Sequence, residues 1–141
     1  MTVNDAAALD AFLAEPRNVI VVGVRADGRP HATPNWFVWR DGRFHVSTTK
    51  DRAKYRIFSN DPRAQLVIDD ATGFRYAIVE GTVSIVEDVD DELATFAAIR
   101  AKHGRPEVSR DELRAELVRD KRVLLVITPK LPPEQWATIG L

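Results

Sequence analysis

The residues best suited to chemistry lie in the stretch "STTKDRAK", Ser47 to Lys54. Ser47, Thr48 and Thr49 follow an apolar segment, "RFHV", and Lys50, Arg52 and Lys54 then alternate around a single acid, Asp51. Two uses fit such a junction. Thr48 or Thr49 can cap a helix with Asp51 in its first turn, leaving the basic residues in water. The other use is a phosphate cradle, because a helix N-terminus offers unpaired N–H groups and the hydroxyls add donors. Cations at that end oppose the helix dipole, and an anion would compensate them. Residues two apart on a helix point about 200° from each other. Arg52 and Lys54 therefore converge on one group only where the chain is still loop-like, or where one side chain wraps back.

A second cluster, "PNWFVW", precedes it. Alternation sends Pro34, Trp36 and Val38 one way and Thr33, Asn35 and Phe37 the other. Core packing accounts for Phe37 and Val38. Pro34, Asn35 and Trp36 suit a flat heteroaromatic ring, which needs an apolar wall and hydrogen bonds at its edge. Other chemistries lack their residues. His31, His45 and His103 are scattered without HxH or HExxH spacing, so no metal site is expected. There is no GxSxG, GxGxxG or GxxxxGK[ST] segment, and no cysteine.

The elements that must position these clusters read as strands in hairpin order with helices inserted. "NDAAALDAFLAEP" predicts a helix capped by Asn4. "NVIVVGV" is a continuous apolar run, expected to be a strand covered on both faces. "ADGRP" and "RDGR" are hairpin turns, and "HATPNWFVW" between them is one return strand, with Pro34 marking an edge or a bulge. "RFHVST" is a third strand. "TKDRAKYRIFSNDP" is a helix ending at Asn60. "RAQLVIDD" and "FRYAIVEGTVSIVED" are further strands, the second with a bulge at Gly81. "DDELATFAAIRAKHG" and "SRDELRAELVRD" are helices, the latter with Ser109 and Glu112 as a capping box. "RVLLVITPKL" is the last strand, and an extended tail follows. Six antiparallel strands with peripheral helices make an α+β, barrel-like fold, a single domain over 1–141.

Composition sets bounds. Lys and Arg number 20 against 21 for Asp and Glu, a net charge of -1, which argues against a bulk nucleic-acid binder and makes any anion site local. The N-terminus lacks the pattern of a signal peptide, and "VIVVGV" is too short to span a bilayer. The expectation is a cytoplasmic protein with neither nucleic-acid nor membrane partners.

The DGRP hairpin, the strand ending in hydroxyls, "RAK", the "NDPRA" turn, "YAIVEGTVSIV" and "DKRVLLVITP" together resemble the pyridoxamine-phosphate-oxidase-like split β-barrel flavin and deazaflavin oxidoreductases. The "RAK" wording and the length are most similar to those using coenzyme F420, the 8-hydroxy-5-deazaflavin; relatives bind FMN or haem. The resemblance implies a six-stranded split barrel and a homodimer with cofactor sites at the interface. It implies that Ser47, Thr48, Arg52 and Lys54, with Thr49 and Lys50 beside them, hold the cofactor phosphate. Pro34, Asn35 and Trp36 would line the ring, and Tyr76, Ala77 and Trp136 would complete the pocket from the partner chain. The function implied is an F420-dependent oxidoreductase that reduces an unsaturated small molecule by hydride transfer. The alternatives are an FMN-dependent oxidoreductase or a non-catalytic carrier or sensor. No catalytic side chain is assigned, since the cofactor carries the chemistry; Tyr76, or a water on Asn35, is a candidate proton source.

Overall fold

The computed structural model describes residues 3–141. Its elements in chain order are α1 (Ala6–Ala14), β1 (Val19–Val24), β2 (Pro30–Asn35), β3 (Phe37–Arg40), β4 (Arg43–Thr49), α2 (Ala53–Asn60), β5 (Arg63–Asp69) and β6 (Tyr76–Val86). After these come α3 (Leu93–Lys102), α4 (Arg110–Arg119), β7 (Arg122–Pro129) and β8 (Ala137–Ile139). All strand pairs are antiparallel, in the order β2-β1-β5-β6-β7-β4-β3, with β8 joining β6 off that path.

The six expected strands become eight for two reasons. The tail pairs with the start of β6, Ile139 opposite Tyr76. The return strand "HATPNWFVW" also breaks at Trp36. That break explains the shape of the sheet. Its two edge strands, β2 and β3, are joined through one residue, so the edges must come together at Trp36 and the sheet curls into a barrel split along that line. Pro34 sits on edge strand β2, where its missing N–H costs no ladder bond.

Three other expectations are corrected. The cap of α1 is Asp5, whose carboxylate accepts the amides of Ala7 and Ala8. Asn4 instead donates to the carbonyls of Pro133 and Trp136, tying the N-terminal segment to the tail. Gly81 is no bulge, because the register runs unbroken through Ala64↔Gly81 and Gly81↔Pro129. A Cβ there would lie 2.6 Å from the Thr128 carbonyl oxygen, so Gly81 permits close packing of β6 on β7. Finally, within one chain β1 is not covered on both faces: Val19 and Val21 are buried while Ile20, Val22 and Val24 are half-exposed.

Two apolar clusters result. One fills the barrel, where Leu9, Phe12 and Leu13 of α1 and Ile57 and Phe58 of α2 meet inward residues such as Phe37, Phe44, Leu66 and Ile127. α2 packs so closely on β1 that a Cβ at Gly23 would lie 2.8 Å from Ile57 Cγ2. The second cluster lies between the outer face of β3, β4 and β7 and the pair α3 and α4, and includes Phe96, Ile99, Leu117, Leu124 and Val126. Ser109 starts α4 as expected, its hydroxyl accepting the Glu112 amide at 3.1 Å. No helix among the described residues is long and apolar enough to cross a membrane.

Candidate functional site

β4 pairs with β7 so that Ser47, Thr48 and Thr49 lie opposite Leu124, Val123 and Arg122. At this end of β4 the chain turns and starts α2 at Ala53, later than a hydroxyl cap would require. Thr49 donates its hydroxyl to the Asp51 carboxylate, which holds that carboxyl below the usual range even though it is in water. Neither group caps the helix. The N-cap position is Arg52, in an extended conformation and without any side-chain cap. The Tyr55 amide reaches the Arg52 carbonyl at 3.2 Å, so the Ala53 and Lys54 amides are those that keep the unpaired, positive end of α2.

This geometry also resolves the spacing problem. Arg52 lies just outside the helix and Lys54 just inside it, so both reach one cavity of about 490 Å3. Pro34, Asn35, Trp36, Ser47 and Thr48 line the same cavity. Lys54 is only 6% exposed, and its ammonium donates to the Thr33 hydroxyl at 3.1 Å. Burial first, then the charge of Arg52, pushes the Lys54 pKa down. Thr33 in turn accepts, at its carbonyl, the Asn35 carboxamide N–H at 2.7 Å. The Asn35 amide nitrogen is therefore committed to its own strand, and its oxygen is the group left for the cavity.

The remaining candidates lie elsewhere. Lys50 turns away to pair with Glu87 at 3.2 Å, and Thr49 is engaged with Asp51. Ala77 is fully buried in the barrel core. Trp136 is buried there too, its indole N–H donating to the Leu131 carbonyl at 2.9 Å. Tyr76 stands on β6 opposite Ile139, outside the cavity. Within one chain none of these five reaches the site.

The structure adds residues that the sequence reading missed. α3 contributes Phe96, Ile99 and Arg100, Arg105 follows it, α4 contributes Glu116, Leu117 and Arg119, and Asp120 and Arg122 lead into β7. Two of these cations are neutralised: Arg100 pairs with Glu116 at 3.0 Å and Arg119 with Asp120 at 2.9 Å. Arg52, Lys54, Arg105 and Arg122 form no ion pair among the described residues. Arg122 makes only a 3.4 Å contact with the Ser47 hydroxyl. Four uncompensated cations, two hydroxyls and an uncapped helix start around one cavity can bind an extended anion. The signal available in the sequence was "RDKR", Arg119 to Arg122, but its place beside Ser47 depends on a strand pairing between residues 75 positions apart.

The family model described as pyridoxamine 5'-phosphate oxidase matches residues 6–131. The chain belongs to that family. Among solved structures, an F420 reductase is 26% identical, with 89% of this chain and 96% of that one covered at a TM-score of 0.70. A conserved hypothetical protein from Mycobacterium tuberculosis is 20% identical over 98% of this chain and 86% of its own, at a TM-score of 0.82. The heme storage protein HutZ of Vibrio cholerae is 16% identical over 100% and 97%, at a TM-score of 0.75. The last two show the fold alone. As a pyridoxamine 5'-phosphate oxidase family member, this chain has the antiparallel split barrel with peripheral helices that its sequence resembles.

Proposed function

We propose that this protein is an oxidoreductase that binds coenzyme F420 in the cavity between β4, α2 and the α3–α4 layer and reduces an unsaturated small molecule. The observation that carries this reading is the set of four unpaired cations beside Ser47, Thr48 and the uncapped start of α2. A single phosphate monoester, as in FMN, would leave part of that charge uncompensated. F420 carries a phosphodiester followed by carboxylates, a closer match in charge and extent. The 26% identity to an F420 reductase supports the same choice.

When bound, the deazaflavin would supply a hydride at its ring carbon. The protein's part is binding and orientation. Ser47, Thr48, Arg52 and Lys54 would hold the phosphate, the Lys54 ammonium being steadied by its bond to the Thr33 hydroxyl. Arg105 and Arg122 would take the further anionic groups. Pro34 and Trp36 would wall the ring, with the Asn35 oxygen accepting at its edge. Tyr76 lies outside the cavity in one chain, so as a proton source it would have to come from a second copy.

The exposed sheet face supports such a copy. Register places Ile20 between Pro34 and Val67, and Val67 beside Ile78, an apolar strip on the side opposite the barrel core. The strip ends at Pro34, on the cavity itself. A homodimer seated there would cover apolar surface and adjoin both sites. Sedimentation equilibrium checks this, and a monomer at micromolar concentration would refute it.

Titration of the apoprotein with F420 and with FMN, read by cofactor fluorescence, tests the cofactor. Tighter binding of F420, followed by reoxidation of its reduced form by enones or quinones, is the expected result. Preference for FMN would make this an FMN enzyme. F420 binding without turnover by any acceptor would make it a carrier, and binding of neither would overturn the reading.

A further inference from the structure

The Trp36 indole lies flat against the His103 imidazole, ring centroids 4.7 Å apart and planes within 4°. Trp36 is 42% exposed, at the break where the sheet edges meet. It is shared by two hollows. One is the cation-lined cavity; the other, of about 510 Å3, lies outside it between Pro16, Arg17, Asn18 and the end of α3. The plane of so exposed an indole is set by what packs against its ring.

His103 is built to do that. It is the C-cap of α3, followed by Gly104 at φ 75. The Arg105 amide donates to the Arg100 carbonyl at 2.9 Å and the Gly104 amide to that of Ala101 at 3.2 Å. Those two bonds form a Schellman motif, which pins the backbone of the capping residue. The ring lies beside the Phe37 backbone, and its Nε2 is buried without a hydrogen-bond partner. A neutral imidazole tolerates an unpaired acceptor nitrogen far better than an imidazolium tolerates an unpaired N–H.

We propose that His103 is the positioning residue of the ring site, its stacked imidazole holding Trp36 as a fixed wall against which a planar ligand lies. This rests on the cofactor reading above but concerns a residue outside the cavity lining. The stack is also sensitive to protonation. Burial, then the Lys102 ammonium, lowers the His103 pKa, while the Phe37 contact raises it. The outer hollow adds Arg17, which is paired with Glu15. On the cavity side, Glu116 and Asp120 are engaged by Arg100 and Arg119, leaving the unpaired cations already named. A group held neutral by its folded surroundings is at full strength above its ordinary pKa, about 6.5 for histidine, and weakens as the pH falls below it. The wall therefore loosens in acid.

Fluorine NMR of protein labelled with 5-fluorotryptophan tests this, the Trp36 signal being assigned by its loss in Trp36→Phe. In the wild type that signal should shift as the pH is lowered from 7.5 through the range below about 6.5 where the depressed imidazole takes up its proton. In His103→Phe, which keeps a flat ring but cannot titrate, it should stay put. In His103→Ala it should sit at the mobile position at every pH. F420 affinity should fall about three- to tenfold in His103→Ala, the scale of one aromatic pair, and recover in His103→Phe. A Trp36 signal unmoved in His103→Ala, in a wild type that binds F420, overturns the positioning role alone. A responsive signal in a wild type that binds neither F420 nor FMN overturns the cofactor reading, and the ligand half of this proposal with it.

Discussion

The barrel interior and the helical layer are both apolar, yet they are finished differently. Phe44 in the barrel is fully buried, with the rings of Phe37, Trp39 and Trp136 around it at 4.7–5.8 Å. That cluster is built from the sheet, α1, α2 and the tail residue Trp136, all buried. The layer between the sheet and α3 and α4 opens along one edge onto a cavity. Phe96, Ile99 and Leu117 belong to its core and also form the floor of the cation-lined cavity. The same type of side chain thus serves stability in one region and shapes a binding site in the other. Substitutions should separate the two.

The largest effect is expected from Phe44→Ala. Removing an enclosed phenyl ring costs about 3–5 kcal/mol, and its three aromatic neighbours lose their common contact. Urea unfolding should show a lower midpoint. A destabilisation under about 1 kcal/mol, the scale of an exposed site, would mean the barrel interior is no more closed than the helical layer.

Leu117→Ala should cost less, about 2 kcal/mol, at the low end for buried leucine because water from the adjoining cavity can enter the space. It should also weaken F420 binding, which Phe44→Ala should do only through unfolding. Comparing binding at temperatures where both variants are fully folded makes the distinction. Equal affinity for Leu117→Ala and wild type would remove the floor from the site.

Arg52→Ala and Lys54→Met should reverse that balance, with affinity lost and folding nearly intact. Charge-assisted hydrogen bonds are worth roughly 1.5–3 kcal/mol each, so losses on the order of tenfold to a hundredfold are expected. The apoprotein should melt no lower, since each change relieves positive charge at an uncapped helix start. Fluorescence titration paired with apoprotein melting decides it. Unaltered affinity in both variants would return Ser47 to Lys54 to a solvated turn.

The two regions also differ in how legible they were. Barrel strands showed in their alternation and in turns such as Asp41–Gly42, because those signals are local. The hydroxyl-and-cation segment was legible for the same reason: Ser47, Thr48, Arg52 and Lys54 lie within eight residues of chain. The strand break at Trp36 was not, since nothing local separates a continuous strand from one that passes between two sheet edges. Nor were Arg105 and Arg122, which depend on helix docking and on β4 pairing with β7 across the whole chain. His103 looked like an isolated histidine because its partner is 67 positions away, at Trp36.

The smallest effect tests where the two regions meet. Lys102 ends α3 yet reaches the barrel side, donating to the Leu13 carbonyl at 2.7 Å with its ammonium 3.6 Å from the centre of the Phe37 ring. Burial first, then the charge of Arg17, pushes its pKa down to about 8. An unfolded lysine keeps its proton to about 10.4, so between these values the unfolded chain binds more protons than the folded one. Stability from this group therefore rises with pH across that window and is flat below it. Lys102→Met should abolish the rise, which in the wild type should be on the order of a few degrees in Tm. The measurement is the difference in melting temperature between wild type and variant from pH 7.5 to 10.5, which cancels the tyrosines and other lysines common to both. A difference that stays constant over that range would mean the ammonium is in water, and that α3 is not anchored to the barrel through Lys102.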